Sequence, residues 1–171
     1  MYAALANRGI LRPLRYLSTD EPSMPTQRIC SAEAAYMMTE ILSGIHRPDL
    51  PPHFLSRSKL PKVAWKTGTS FGRRDAWSIG YNPRFTIGVW MGNMDGSPVL
   101  EMSGSKTAVP LMLDLFNAID YDADKHWFTK PTRLHERLVC SESGMLPSAS
   151  CQQLTKDFAI HGVSTTTVCN R

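Results

Sequence analysis

Val63-Ala64-Trp65-Lys66-Thr67-Gly68-Thr69-Ser70 is the stretch from which the rest of this 171-residue chain is read. An apolar, strand-like lead-in delivers one cation, three hydroxyls and one glycine in succession. The lysine supplies positive charge, the hydroxyls donate hydrogen bonds, and the glycine lets another backbone come close. Period-two alternation puts Lys66 and Gly68 on one face of a strand and Thr67 and Thr69 on the other. All four serve a single cleft only if that cleft follows the open edge of the strand, where an extended peptide can add as a further strand. The implied site is a groove for a peptide that ends in a carboxylate. An ordinary strand end entering a turn would have a similar composition, so the reading depends on what surrounds it.

Working outward, three strands are expected, at 62–70, 75–81 and 85–92, with Asn82-Pro83-Arg84 turning the last two into an antiparallel hairpin. In that hairpin Trp77, Ile79 and Tyr81 share one face, as do Phe85, Ile87, Val89 and Met91. The small residues Ala76, Ser78, Gly80, Gly88 and Gly92 are assigned to the opposite face, where a helix could approach closely, with Trp90 as a bulky exception. The sheet is expected to be covered on both sides. Ser31 is placed to cap a helix running to about Ser43, with Glu33 in its first turn and Ala34, Met38, Ile41, Leu42 and Ile45 at helical spacing. Gly44 and Pro48 would end it. A second helix is expected from about Thr107 to Ile119, apolar around most of its circumference at Val109, Leu111, Met112, Leu113, Leu115, Phe116 and Ile119, and therefore largely buried. The segment from 10 to 18 reads as a short extended pair interrupted by Pro13. The class is α+β: an antiparallel sheet of about three main strands flanked by helices, followed by a small cysteine-bearing extension.

Composition is that of a globular chain, 42% hydrophobic and 20% charged, with a net charge of +4. The basic residues are dispersed, which argues against nucleic acid as a partner. No apolar run approaches the roughly 20 residues of a membrane span. The first nine residues lack the features of a signal peptide and read as the last turns of a helix closed by Gly9, so the chain is expected to be part of a longer one. Cys140, Cys151 and Cys169 cluster in a loop-rich tail, which suggests a disulfide, most simply Cys140–Cys151, and an oxidising compartment. The rival, a metal site with His161, is set aside because the spacings fit no familiar zinc pattern. Cys30 is read as a small buried hydrophobe. His46, His53, His126, His135 and His161 are scattered and read as surface or structural groups, while Arg74 and Asp75 are placed where they could line the groove. No cofactor is expected.

Lys66-Thr67-Gly68-Thr69-Ser70, Asp75-Ala76-Trp77-Ser78-Ile79-Gly80-Tyr81 and Ile87-Gly88-Val89-Trp90-Met91-Gly92 together resemble the Lys-Thr-Gly motif and following hairpin of penicillin-binding transpeptidases. The opening Tyr2-Ala3-Ala4-Leu5-Ala6-Asn7-Arg8-Gly9 resembles the segment that precedes this motif in class A members. The tail Val139-Cys140-Ser141-Glu142-Ser143-Gly144, with Cys151 and Cys169, is similar to the 1C type, bifunctional glycosyltransferase–transpeptidases on the periplasmic side of the bacterial inner membrane. The resemblance implies that residues 1–121 are the C-terminal half of a transpeptidase domain, 122–134 a linker and 135–171 the start of a C-terminal extension. It implies peptidoglycan stem peptides and β-lactams as ligands. Lys66 and Thr69 would assist catalysis, Lys66 through positive potential and Thr69 through an oxyanion-hole N–H. Thr67, Gly68, Thr69 and Ser70 would contact substrate, with the threonine hydroxyls on its carboxylate.

The sequence also departs from the family. It contains no Ser-x-Asn, and Ser-x-x-Lys occurs only at Ser56–Lys59, in a proline-rich loop, and at Ser103–Lys106, after the motif. Both are read as decoys, so the chain alone is expected to be inactive. The family strand that would pair with the outer side of 85–92 is also lacking, and the exposed edge makes an isolated chain that is poorly soluble or partly disordered the expectation. A serine β-lactamase-like hydrolase and a non-catalytic envelope peptide-binding module are the alternative readings.

Overall fold

The computed structural model describes residues 1–21, 24–44, 60–100 and 102–170. Ile45, His46, Pro48, His53, Ser56 and Lys59 lie outside the described residues. The chain divides into two compact units, Met1–Phe128 and Thr129–Arg171. In the first unit the elements are α1 (Tyr2–Ala6), β1 (Ile10–Leu11), β2 (Gln27–Arg28), α2 (Ala32–Ser43), β3 (Ala64–Thr69), β4 (Asp75–Tyr81), β5 (Thr86–Gly92) and α3 (Ala108–Asp120). The second unit holds β6 (Leu134–Cys140) and β7 (Leu154–Ile160). Strands β3, β4 and β5 form an antiparallel sheet in that order, and β1–β2 and β6–β7 form two-stranded ladders. The class is α+β, as the hydrophobic periods indicate. Over 10–18 only Ile10–Leu11 is strand, and it pairs with Gln27–Arg28 rather than with its own continuation.

Helix α2 begins as its sequence suggests: the Ser31 hydroxyl accepts the Ala34 N–H at 3.1 Å. Its buried face differs from the expected one. Ala35, Thr39 and Leu42 point inward, while Met38 and Ile41 are exposed. Thr39 is carried inside because its hydroxyl has two partners, the Ala35 carbonyl at 2.8 Å and the Tyr81 hydroxyl at 2.9 Å. A buried polar group with its bonds made costs little.

The register of the β4–β5 hairpin corrects the expected division of faces. Tyr81 pairs with Thr86, Gly80 with Ile87, Ser78 with Val89 and Trp77 with Trp90. Directly opposed residues share a face, so the small residues of β4 lie beside the large ones of β5, while on the other side Ile79 and Tyr81 lie beside Gly88 and Thr86 and Trp77 lies beside Trp90. On the first face α3 packs against Val63, Trp65 and Val89 through Val109, Met112, Leu113 and Phe116. A Cβ at Gly80 would come within 2.8 Å of both the Met112 sulfur and Val63 Cγ1, so this glycine sets how closely the helix can lie. The second apolar stripe of α3 (Leu111, Leu115, Ile119) is exposed, contrary to the expectation of a helix buried all round. On the other sheet face Ala64 and Tyr81 meet Leu42, Tyr2 and Leu5, with Trp127 and Phe128 closing over them. Cover on that face stops short of Trp77, which is 44% exposed.

One buried polar cluster ties the hairpin turn to the end of α3. Asn82 and Asp120 are almost wholly buried. Asn82 Nδ2 donates to Asp120 at 2.8 Å, while its Oδ1 accepts the N–H groups of Arg84 and Phe85 at 2.9 and 2.8 Å. Arg84 Nη1 lies 3.0 Å from the other Asp120 oxygen, and His126 Nε2 lies 3.2 Å from the first. The far end of the same helix meets the strand that carries the motif.

Candidate functional site

Among the described residues β3 pairs only with β4, so it lies at the sheet edge. The Ser70 N–H donates to the Asp75 carbonyl at 3.0 Å, directing Ser70 toward β4. Main-chain groups alternate sides along an antiparallel strand, so the N–H and C=O groups of Thr67 and Thr69 turn to the open side. A second contact agrees with this: Lys66 Nζ reaches the Thr67 carbonyl at 2.8 Å. One strand edge therefore presents an ammonium, two outward N–H groups and the side chains of two threonines.

The loop before α3 orients one of those side chains. Thr69 Oγ1 accepts the Gly104 N–H at 3.1 Å, which leaves its hydroxyl proton to be donated to another acceptor. Only a glycine permits this approach, since a Cβ at 104 would lie 2.9 Å from both Thr67 Cβ and the Trp77 carbonyl oxygen. Sequence reasoning missed Gly104; its only signal was a glycine between serines just ahead of a helix. At Gly68 the case is reversed: the nearest atom to an added Cβ is Trp77 Cβ, at 3.9 Å. The chain's own packing does not require glycine there, and the missing side chain leaves the space beside the edge open.

Ser70 is placed differently from its neighbours. Its hydroxyl donates to the Asp75 carbonyl at 3.3 Å and accepts the Asp75 N–H at 3.0 Å, closing the β3–β4 connection. Arg74 is exposed in that connection, and Asp75 is partly buried at the start of β4. Ser103 serves as a local cap: its hydroxyl accepts the Lys106 N–H at 3.3 Å and its carbonyl accepts the Thr107 hydroxyl at 2.7 Å. On the other face of β3, Lys66 stands at the rim of an apolar recess of ≈ 560 Å³ lined by Tyr2, Leu5, Met38 and Leu42. Cys30 also lines it and is only partly buried.

In the second unit the three cysteines converge. Cys140, Cys151 and Cys169 are thiols whose sulfurs all lie within 4.8 Å of one another. The backbone N–H of Ser143, its hydroxyl and the N–H of Glu142 hydrogen-bond the Cys140 sulfur and lower its pKa to about 6. The Ser148 hydroxyl and N–H favour ionisation of Cys151, but burial and the two neighbouring sulfurs outweigh them and raise its pKa. Among the described residues no helix is long and apolar enough to cross a membrane.

Comparison with known proteins agrees with this architecture. Residues 130–171 match the family model described as penicillin-binding protein 1A, C-terminal domain. The chain is 34% identical over 168 residues to penicillin-binding protein 1C of Escherichia coli, covering 94% of this chain and 21% of that protein. It is 26% identical over 184 residues to penicillin-binding protein 1A of Clostridium tetani, covering 99% of this chain and 23% of that one. The crystal structure of penicillin-binding protein 1A from Haemophilus influenzae shares the fold, with a TM-score of 0.66 at 20% identity over 88% of this chain and 23% of that one. The chain thus spans about a fifth of the length of the curated relatives it matches. With the tail matched by the family model and nearly the whole length aligned with a relative 34% identical, the chain belongs to the penicillin-binding protein family.

Proposed function

We infer that the first unit forms the carboxylate-holding wall of a peptidoglycan DD-transpeptidase site. Residues 1–121 are then the C-terminal half of the transpeptidase domain, and the tail is the start of an extension. The observation that supports this best is the open edge of β3, where the Lys66 ammonium reaches the outward Thr67 carbonyl and Gly104 orients the Thr69 hydroxyl. A stem peptide ending in D-Ala-D-Ala, or a β-lactam, would lie along that edge as an added strand. The hydroxyls of Thr67 and Thr69 would donate to its terminal carboxylate, and Lys66 would supply positive potential and assist proton transfer once it leaves the Thr67 carbonyl. The outward Thr69 N–H would be one of two oxyanion-hole donors, and the loss of such a donor costs roughly 10²–10³ in rate. Gly68 would admit the acyl group. Ser70 would hold the wall in place, its hydroxyl being committed to the Asp75 backbone rather than to substrate.

The complete protein would cross-link peptidoglycan and polymerise glycan on the periplasmic side of the inner membrane. This chain alone would transfer no acyl group, because its serines include none in the family's nucleophile setting. Amide spectra recorded with an N-acylated peptide ending in D-Ala-D-Ala, and with the same peptide amidated at its C-terminus, test the reading. Shifts should concentrate at 66–69 and at Gly104, require the free carboxylate, and vanish in Thr69→Val. Equal shifts with the amidated peptide, or shifts confined to another surface, would overturn it.

A further inference from the structure

We propose that Cys140, Cys151 and Cys169 form a zinc site in the C-terminal unit, with three thiolates from the chain and a fourth position open to a donor from solvent. The three ligands match no short zinc spacing because they are distant in sequence, and the fold brings them together. Cys140 ends β6 and is followed by a tight turn in which the Gly144 N–H donates to the Cys140 carbonyl at 2.8 Å. Cys151 follows that turn, with the Ser148 N–H 3.4 Å from its sulfur. Cys169 returns by an isolated parallel bridge between Leu146 and Val168, in which the Cys169 N–H donates to the Leu146 carbonyl at 2.8 Å. Three separate segments thus converge on the same sulfurs.

The distances suit a metal. Points within 4.8 Å of one another all lie no farther than about 2.8 Å from some common point, and zinc–sulfur bonds are about 2.3 Å, so small side-chain rotations close the site. A disulfide would use two sulfurs and strand the third beside it. Three thiolates this close would repel one another unless a cation sat among them, which a metal at their centre supplies. On binding, each thiol still protonated would lose its proton to solvent, and the set of soft, anionic donors selects zinc over calcium or magnesium. A recess of ≈ 240 Å³ lined by Cys140, Cys151, Glu142 and Gln153 gives the fourth donor access.

The unit also needs a staple. Its buried apolar side chains are Pro131, Leu134, Val139 and Ala159, besides Cys140 and Cys169 themselves. Domains near the lower limit of about 40 residues usually require disulfides, metals or association to fold.

Cobalt(II) titration of the full, reduced chain, followed by displacement with zinc, is the test. The expected result is one cobalt per chain, with the visible bands of tetrahedral coordination and sulfur-to-metal charge transfer. Cys169→Ser should weaken zinc binding about 100-fold or more, and Cys30→Ser should leave it unchanged. Unaltered binding by Cys169→Ser, or an octahedral or absent cobalt spectrum, would overturn the proposal. A measurement on the unmutated chain covers the possibility that the variant does not fold. Stoichiometric zinc should protect three thiols from alkylation, with protection mapping to 140, 151 and 169 while Cys30 is modified. Protection of fewer than three, or a zinc-insensitive pattern, would refute it.

Discussion

Asp120→Ala should destabilise the unit that carries the site by about 2–4 kcal/mol, because it removes the acceptor at the centre of the hairpin anchor. The largest part comes from Asn82, which is 1% exposed and loses the partner of its Nδ2; a buried donor left unpaired costs about 1–3 kcal/mol. The Arg84 contribution is smaller, about 0.5–1 kcal/mol, because its side chain is 58% exposed and solvent replaces much of what the carboxylate gave. All four tryptophans, at 65, 77, 90 and 127, lie in the first unit, so their fluorescence reports that unit alone. Urea titration at high dilution should show the midpoint falling by about 1–2 M for a slope near 2 kcal/mol/M. Asn82→Ala in the Asp120→Ala background should cost much less than in the parent chain, since the two residues act as one unit. A loss below about 0.5 kcal/mol, or strict additivity of the two changes, would refute this account of the anchor.

Three further outcomes follow from the packing. Gly80→Ala should cost about 1–3 kcal/mol in the same titration, because the added methyl collides with Met112 and Val63; a neutral result would mean that α3 does not sit as closely as described. Burial holds the Tyr81 phenol above its ordinary value of 10.0. A raised folded value means that its contribution is complete below the unfolded value and is lost as the pH climbs through the folded one. Stability measured against alkaline pH should therefore fall beyond about 10, and a flat profile would contradict the burial of this ring. The outer edge of β5, with Trp90 38% exposed, should drive concentration-dependent association of the chain, reduced by Trp90→Lys in light-scattering measurements. A monomer at all concentrations would count against an open edge.

The strong periods were legible. Alternation located β3, β4 and β5 to within two residues, and helical spacing located α3, because each element buries one face against a single core. What the sequence did not carry was pairing across elements. The hairpin register, fixed by the Tyr81–Thr86 pair, decides which large residue faces which small one, and neither strand records it alone. Thr39 was missed as a core residue because its place inside depends on a hydroxyl 42 positions away. The apolar circumference of α3 overstated its burial, since Leu111, Leu115 and Ile119 face away from the sheet. At the candidate site the motif residues were legible and their support was not. Gly104 orients Thr69 across 35 positions, and Cys169 reaches Cys140 and Cys151 through a bridge with no local signature.

On the proposed function, β3 is one wall of a penicillin-recognising site whose nucleophile this chain does not supply. The most direct test is intact-mass analysis of the 171-residue chain after incubation with a fluorescent penicillin. The expected result is an unmodified mass and no fluorescent band. A stable adduct on Ser103, Ser70 or any other serine of the chain would contradict it.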